Sequence, residues 1–131
     1  KTGIFSNLPV IIFDDFTTSS QYVNFHFKVK SSAMKILRPA DNVNLKFLFY
    51  KMQTIQHKSD THKRYWISEY AKLEIPLPPL SEQNLIVAEI DRRFAIVDKT
   101  LNLIDKSIQN AKNLKQSILK KAFSGELRSE I

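Results

Sequence analysis

From Ser81 to Phe123 the chain runs 43 residues with no glycine and no proline, and no other stretch limits the fold as tightly. Val87, Phe94, Leu101 and Ile108 recur every seventh residue, and Ile90, Val97, Ile104, Ala111 and Ile118 repeat the spacing three places on. These are the a and d positions of a heptad repeat, the pattern of a helix that packs against another helix. At 1.5 Å per residue the predicted helix is about 64 Å long. Lys115 falls at an a position, and Leu114 and Leu119 beside it predict a seam that drifts near its end. A small head cannot cover such a stripe, so the expected cover is a second copy or a helix of another chain. An internal amphipathic helix of an ordinary fold is the plainer alternative. Asp91, Asp98 and Asp105 fall at e, against Arg93, Thr100 and Ser107 at g. That set does not complete parallel pairing and leaves antiparallel pairing open.

Just upstream lies Ile75-Pro-Leu-Pro-Pro-Leu-Ser-Glu-Gln83. Each proline fixes φ near −65°, removes a donor and pushes its predecessor toward extended geometry, so helix is barred here. Ser81 is the expected N-cap, and Glu82 places negative charge at the positive end of the helix. Gly125 is the expected C-terminal cap.

The residues before this joint are of another kind. They hold all four tyrosines, the tryptophan, all three histidines and most of the phenylalanines. Leu8 to Phe13, closed by Asp14 and Asp15, reads as a buried strand. Thr17 to Ser20 is a polar turn. Tyr22 to Lys30 alternates, with Val23, Phe25, Phe27 and Val29 on one side, and predicts a half-buried strand. Ala33 to Leu37 predicts another, stopped by Pro39. Leu45, Leu48, Phe49 and Met52 have helical spacing, with Asn42 or Asn44 as cap. The chain is therefore expected to be α+β: a small mixed head over 1–80, one long coiled-coil-forming helix over 81–123 and a short tail over 124–131.

Net charge is +7, and no cysteine is present. This excludes disulfide scaffolds and thiolate metal sites and fits a cytoplasmic setting. No apolar run approaches the roughly 18 residues a membrane span needs, and no signal-peptide core is read at the start. Eleven Lys and Arg against six Asp and Glu precede Ser81, which places the positive excess mainly in the head. A polyanion is the partner such a surface would meet, although many soluble domains are equally basic.

With only Gly3 and Gly125, a glycine-rich phosphate loop is excluded. No catalytic constellation stands out, and no cofactor or metal is expected. A metal-dependent nuclease on Asp14, Asp15 and His26 is the least favoured reading, and His57 with His62 is a poor ligand pair. The segment Lys58 to Trp66 is richer. Lys58, Lys63 and Arg64 are firm cations beside His62 and Tyr65, suited to phosphates, with Arg64 able to grip a guanine edge through two hydrogen bonds. Thr17, Thr18 and Gln21 form a second polar group suited to base edges or phosphates. Each group, taken singly, is more simply read as a solvated loop.

The joint at 75–83, followed by Ile86, Ile90, Asp91 and the heptad helix, and the closing Lys121-Ala-Phe-Ser-Gly-Glu-Leu127 together resemble the specificity subunit of type I restriction-modification systems. The segment Asn44 to Tyr50 is similar to the helix preceding the joint in those proteins. The resemblance implies a target recognition domain that reads one half of a split site in double-stranded DNA. It also implies long helices that pair antiparallel as a ruler and dock methyltransferase subunits, with restriction subunits completing the complex. The subunit itself is non-catalytic in this family. About 75 residues precede the joint, roughly half of what a recognition domain holds, so the chain resembles the C-terminal part of one such domain plus its helix. Thr17, Thr18, Gln21, Lys58, His62, Lys63, Arg64 and Tyr65 are the expected DNA-facing residues. Val87, Ile90, Phe94, Val97, Leu101, Ile104, Ile108, Ala111 and Ile118 are the expected pairing seam, in a homodimer or with another specificity-subunit helix. The competing expectation is a coiled-coil adaptor that binds no DNA.

Overall fold

The computed structural model describes residues 3–55 and 64–129. Its elements are five short strands, two short helices and one long one: β1 (Ile4–Phe5), β2 (Val10–Asp14), β3 (Ser20–Val23), β4 (Phe27–Lys28), β5 (Met34–Leu37), α1 (Leu45–Gln53), α2 (Tyr65–Ser68) and α3 (Leu80–Ser124). Single 3₁₀ turns follow α2 at Tyr70–Lys72 and α3 at Glu126–Ser129. This is the expected α+β head with one long helix. The chain divides into two compact units, residues 1–88 and 89–131.

The first unit is built on β2. Its apolar run is central in a three-stranded antiparallel sheet, with β3 on one side and β5 on the other. Val10, Ile11 and Phe13 are wholly buried, as a continuous apolar run flanked by two strands should be. Ile11 and Phe13, two residues apart, point to the same face and meet Leu45 and Met52 of α1 and the rings of Tyr65 and Tyr70. Phe13 lies 4.7 Å from Tyr70 and 5.4 Å from Trp66 between ring centroids, tilted in both cases, a favoured aromatic arrangement.

The strand expected over Tyr22 to Lys30 is broken in two. β3 ends at Val23, opposite Val10, whereas Phe27 in β4 pairs with Phe5 of β1 in a separate two-stranded ribbon. Upstream of Val10 stands Pro9, which has no N–H to extend the ladder, so β3 loses its partner there. Alternation alone cannot supply one. Phe25 is therefore 61% exposed rather than in the core. Ser20, expected in the turn, is the first residue of β3.

Asn44 caps α1 as expected, its side-chain oxygen accepting from the Phe47 N–H at 3.1 Å. The cap expected of Ser81 is not seen. Helix α3 begins one residue earlier, at Leu80, and the Pro79 carbonyl accepts from the N–H groups of Glu82 (2.9 Å) and Gln83 (3.0 Å). Proline lacks a donor but keeps its acceptor, so Pro79 can open the first turn itself. At the far end Gly125 has φ +85, the left-handed conformation that closes many helices.

Gln83, 1% exposed, joins these elements. Its Oε1 accepts from the Asn44 N–H at 2.8 Å, while its Nε2 donates to the carbonyls of Pro78 (2.8 Å) and Asn42 (3.1 Å). Asn44 Nδ2 also donates to Asn84 Oδ1 at 2.8 Å. One buried amide thus ties the proline joint and the first turn of α3 to the cap of α1.

The second unit is mostly α3. Arg92 donates from both Nε (2.9 Å) and Nη2 (2.8 Å) to the Glu89 carboxylate, and Arg93 Nε joins at 2.7 Å. The hydrogen bonds from Arg92, then those from Arg93, hold the Glu89 carboxyl down at about 2, against an ordinary value of 4.5. A carboxyl lowered in the folded state stabilises fully above its ordinary value, and this is lost as pH falls from there toward about 2. Carbon-detected NMR titration is expected to place the Glu89 midpoint near 2, and Arg92→Ala to move it upward. A midpoint at the ordinary carboxylate value in the intact chain would remove the cluster.

Candidate nucleic-acid interface

The turn between β2 and β3 is tightly determined by Asp14. Its Oδ1 accepts from the N–H groups of Phe16 (2.8 Å) and Thr17 (3.0 Å), and these bonds hold its carboxyl below the usual carboxylate range. Its backbone closes the loop, with Thr18 N–H on the Asp14 carbonyl and Asp14 N–H on the Ser19 carbonyl, both at 2.9 Å. Thr17 Oγ1 accepts from the Ser19 N–H at 3.3 Å. Thr18 sits at φ 60, in the left-handed region that a β-branched residue rarely enters.

Asp15 fastens this turn to α2. The Asp15 carbonyl accepts from the Tyr65 N–H at 3.0 Å, and its Oδ1 accepts from the Trp66 N–H at 2.7 Å. The side chain is fully buried, and Lys35 Nζ lies 3.8 Å from Oδ2, which has no hydrogen-bond partner among the described residues. Removing the carboxylate would strand a donor at the start of α2. Asp14 and Asp15 therefore spend their carboxylates on backbone donors. The nuclease arrangement with His26 does not form among the described residues, where no group of three metal-binding side chains gathers.

Arg64 is thereby brought beside a turn far from it in sequence. Arg64, exposed just before α2, places its guanidinium carbon 6.0 Å from the centroid of the Phe16 ring, within cation–π range. Thr17 is exposed and Thr18 half-buried in the same turn. Gln21 is exposed on β3, opposite Ile12. Lys58, His62 and Lys63 lie outside the described residues. Tyr65 must be corrected: it is 1% exposed and packs in the core, so its ring offers nothing to a ligand. An aromatic beside a basic segment can face either way, and here Phe13 and α1 leave room for the ring inside. The roles of Asp15, buried beneath this turn, and of Phe16, exposed on it, were not read from the sequence. Their signal was the acidic pair at the end of a strand, which reads as solvated until its distant backbone donors are known.

Of the heptad seam, Val87 is buried and Ile90 half-buried. Phe94, Val97, Leu101, Ile104, Ile108 and Ile118 are each about half exposed, between 48% and 53%, and Ala111 is exposed. Among the described residues no helix is long and apolar enough to cross a membrane.

The head thus carries a hydrogen-bonded turn with Arg64 beside it, and α3 carries a half-exposed apolar stripe. The chain is 41% identical over 102 residues to the specificity subunit of the type I restriction enzyme EcoR124I/EcoR124II of Escherichia coli, covering 70% of this chain and 25% of that protein. It is 37% identical over 62 residues to the EcoDI specificity subunit (47% and 14%) and 39% identical over 56 residues to that of EcoBI (43% and 12%), both of Escherichia coli. The chain is thus related to type I restriction-enzyme specificity subunits, and spans a quarter or less of the length of these relatives. No family model matches it, and no solved structure does.

Proposed function

We propose that the chain is a DNA-recognition, or specificity, element of a type I restriction-modification complex. It catalyses nothing itself. The head reads part of one half of a split duplex site. The helix pairs with a second copy or another specificity-subunit helix, sets the spacing and docks methyltransferase subunits, while restriction subunits complete the assembly. The observation that carries this reading is the junction of Arg64 with the Asp14–Ser19 turn, in a chain related to specificity subunits. A guanidinium beside a hydrogen-bonded turn that carries two threonines can serve both phosphate and guanine.

The test is binding of the intact chain to labelled duplex DNA with competitor present. Lys63→Ala with Arg64→Ala is expected to weaken binding about tenfold or more and to lower the salt slope by about 1 to 2. Unchanged binding would take this segment out of the interface. The adaptor reading draws support from the half-exposed stripe of α3. It requires negligible DNA affinity at physiological salt together with a persistent dimer.

A further inference from the structure

We propose that Phe16 is a base-reading residue: its ring meets a thymine methyl beside the base that Arg64 grips, the two acting as one cation–π pair. This rests on the DNA-recognition reading above and names a specificity residue within it.

Four observations lead there. First, the ring is 42% exposed at the turn between two strands, while Phe13, three residues earlier, fills the core. Second, a plain link between β2 and β3 needs no such residue; two-residue turns such as Asn-Gly do that work without exposing an aromatic ring. Third, the turn is held rigid by two hydrogen bonds to the Asp14 carboxylate and two through its backbone, with Thr18 kept at φ 60. A strained residue persists where its surroundings over-determine it, and such places cluster at binding and switch sites. Fourth, the buried Asp15 carboxylate and carbonyl hold the start of α2 against the turn, so that the Arg64 guanidinium lies over the ring.

The chemistry of the pair suits a major-groove floor. Cation–π attraction to the ring biases the guanidinium toward this side of the turn, so less freedom is lost when its N–H fork meets guanine O6 and N7. The exposed phenyl edge has no polar atom, and among the base edges of that groove its apolar match is the C5-methyl of thymine. Thr17, exposed beside it, can donate to a phosphate and fix the approach.

The experiment begins with selection from a random duplex pool by the intact chain. The enriched duplex is then made twice, once with thymine and once with deoxyuracil, which lacks only the methyl group. Deoxyuracil is expected to weaken binding by the wild type about fivefold and to leave Phe16→Ala, already about tenfold weaker on the thymine duplex, unchanged. Phe16→Ala should keep the wild-type thermal unfolding midpoint, since its ring is not in the core. Equal binding of both duplexes by the wild type overturns the proposal even if the variant misfolds. Equal loss in wild type and variant overturns it too. If the wild type enriches no sequence at all, the DNA-recognition reading itself falls, and this proposal with it.

Discussion

Gln83→Glu is expected to lower the unfolding free energy of the first unit by about 3 to 5 kcal/mol at neutral pH, more than truncation to alanine. The amide is buried, and its two ends do opposite work: Oε1 takes a donor from Asn44, and Nε2 gives its hydrogens to the carbonyls of Asn42 and Pro78. Glutamate has the same shape, but places a charged acceptor where two carbonyls already point. Gln83→Ala leaves one N–H and two carbonyls short of partners and is expected to cost about 2 to 3 kcal/mol. The glutamate variant carries a distinguishing pH signature. Burial among acceptors raises its folded-state pKa, so its protonated form is tolerated and its penalty grows as pH rises above the unfolded value of about 4.3. Denaturant unfolding at pH 4 and pH 7 checks both statements. A glutamate variant as stable as the wild type at pH 7 would mean that the amide is not the tie between the joint and α1.

This tie also marks where the sequence stops being readable. The proline joint, the helix beyond it and the cap Asn44 follow from local rules, because φ restriction, heptad spacing and side-chain capping act within a few residues. Gln83 was visible as a letter in the joint but not as a buried amide, because its partners Asn42 and Asn44 lie some forty residues away. The same limit explains Tyr22 to Lys30. Alternation states which side chains could share a face, but the face itself is made by β2, whose ladder with β3 ends at Val10, next to Pro9. At the interface, composition pointed to two separate polar groups. It did not reveal that the Asp15 backbone and carboxylate join them, nor that Tyr65 turns inward while Phe16 stays out. Local patterns reach one element, and sites are built between elements.

On the helix pairing proposed above, Leu101→Asp with Ile104→Asp is expected to convert the chain from a dimer at micromolar concentration to a monomer. The two side chains sit at neighbouring a and d positions near the middle of the stripe, each about half exposed in the single chain. In a symmetric pair the change removes four aliphatic side chains from the interface. At about 1.5 kcal/mol each, the loss is about 6 kcal/mol, or roughly four decades in Kd, before the cost of burying aspartate is counted. Residues 92–124 of α3 are exposed, and most helical stability in proteins comes from a packed apolar face. The variant should therefore lose helical circular dichroism along with its mass. Lys99→Ala, at an f position on the far side of the helix, is the control and should change neither. Analytical ultracentrifugation over a concentration series measures both variants beside the wild type. A wild type that stays monomeric at high concentration with full helical signal would show that α3 stands without a mate, and would remove the spacer role. A dimer that survives both aspartates would move the contact to another face, where Ile96, Leu103 and Leu114 are also exposed.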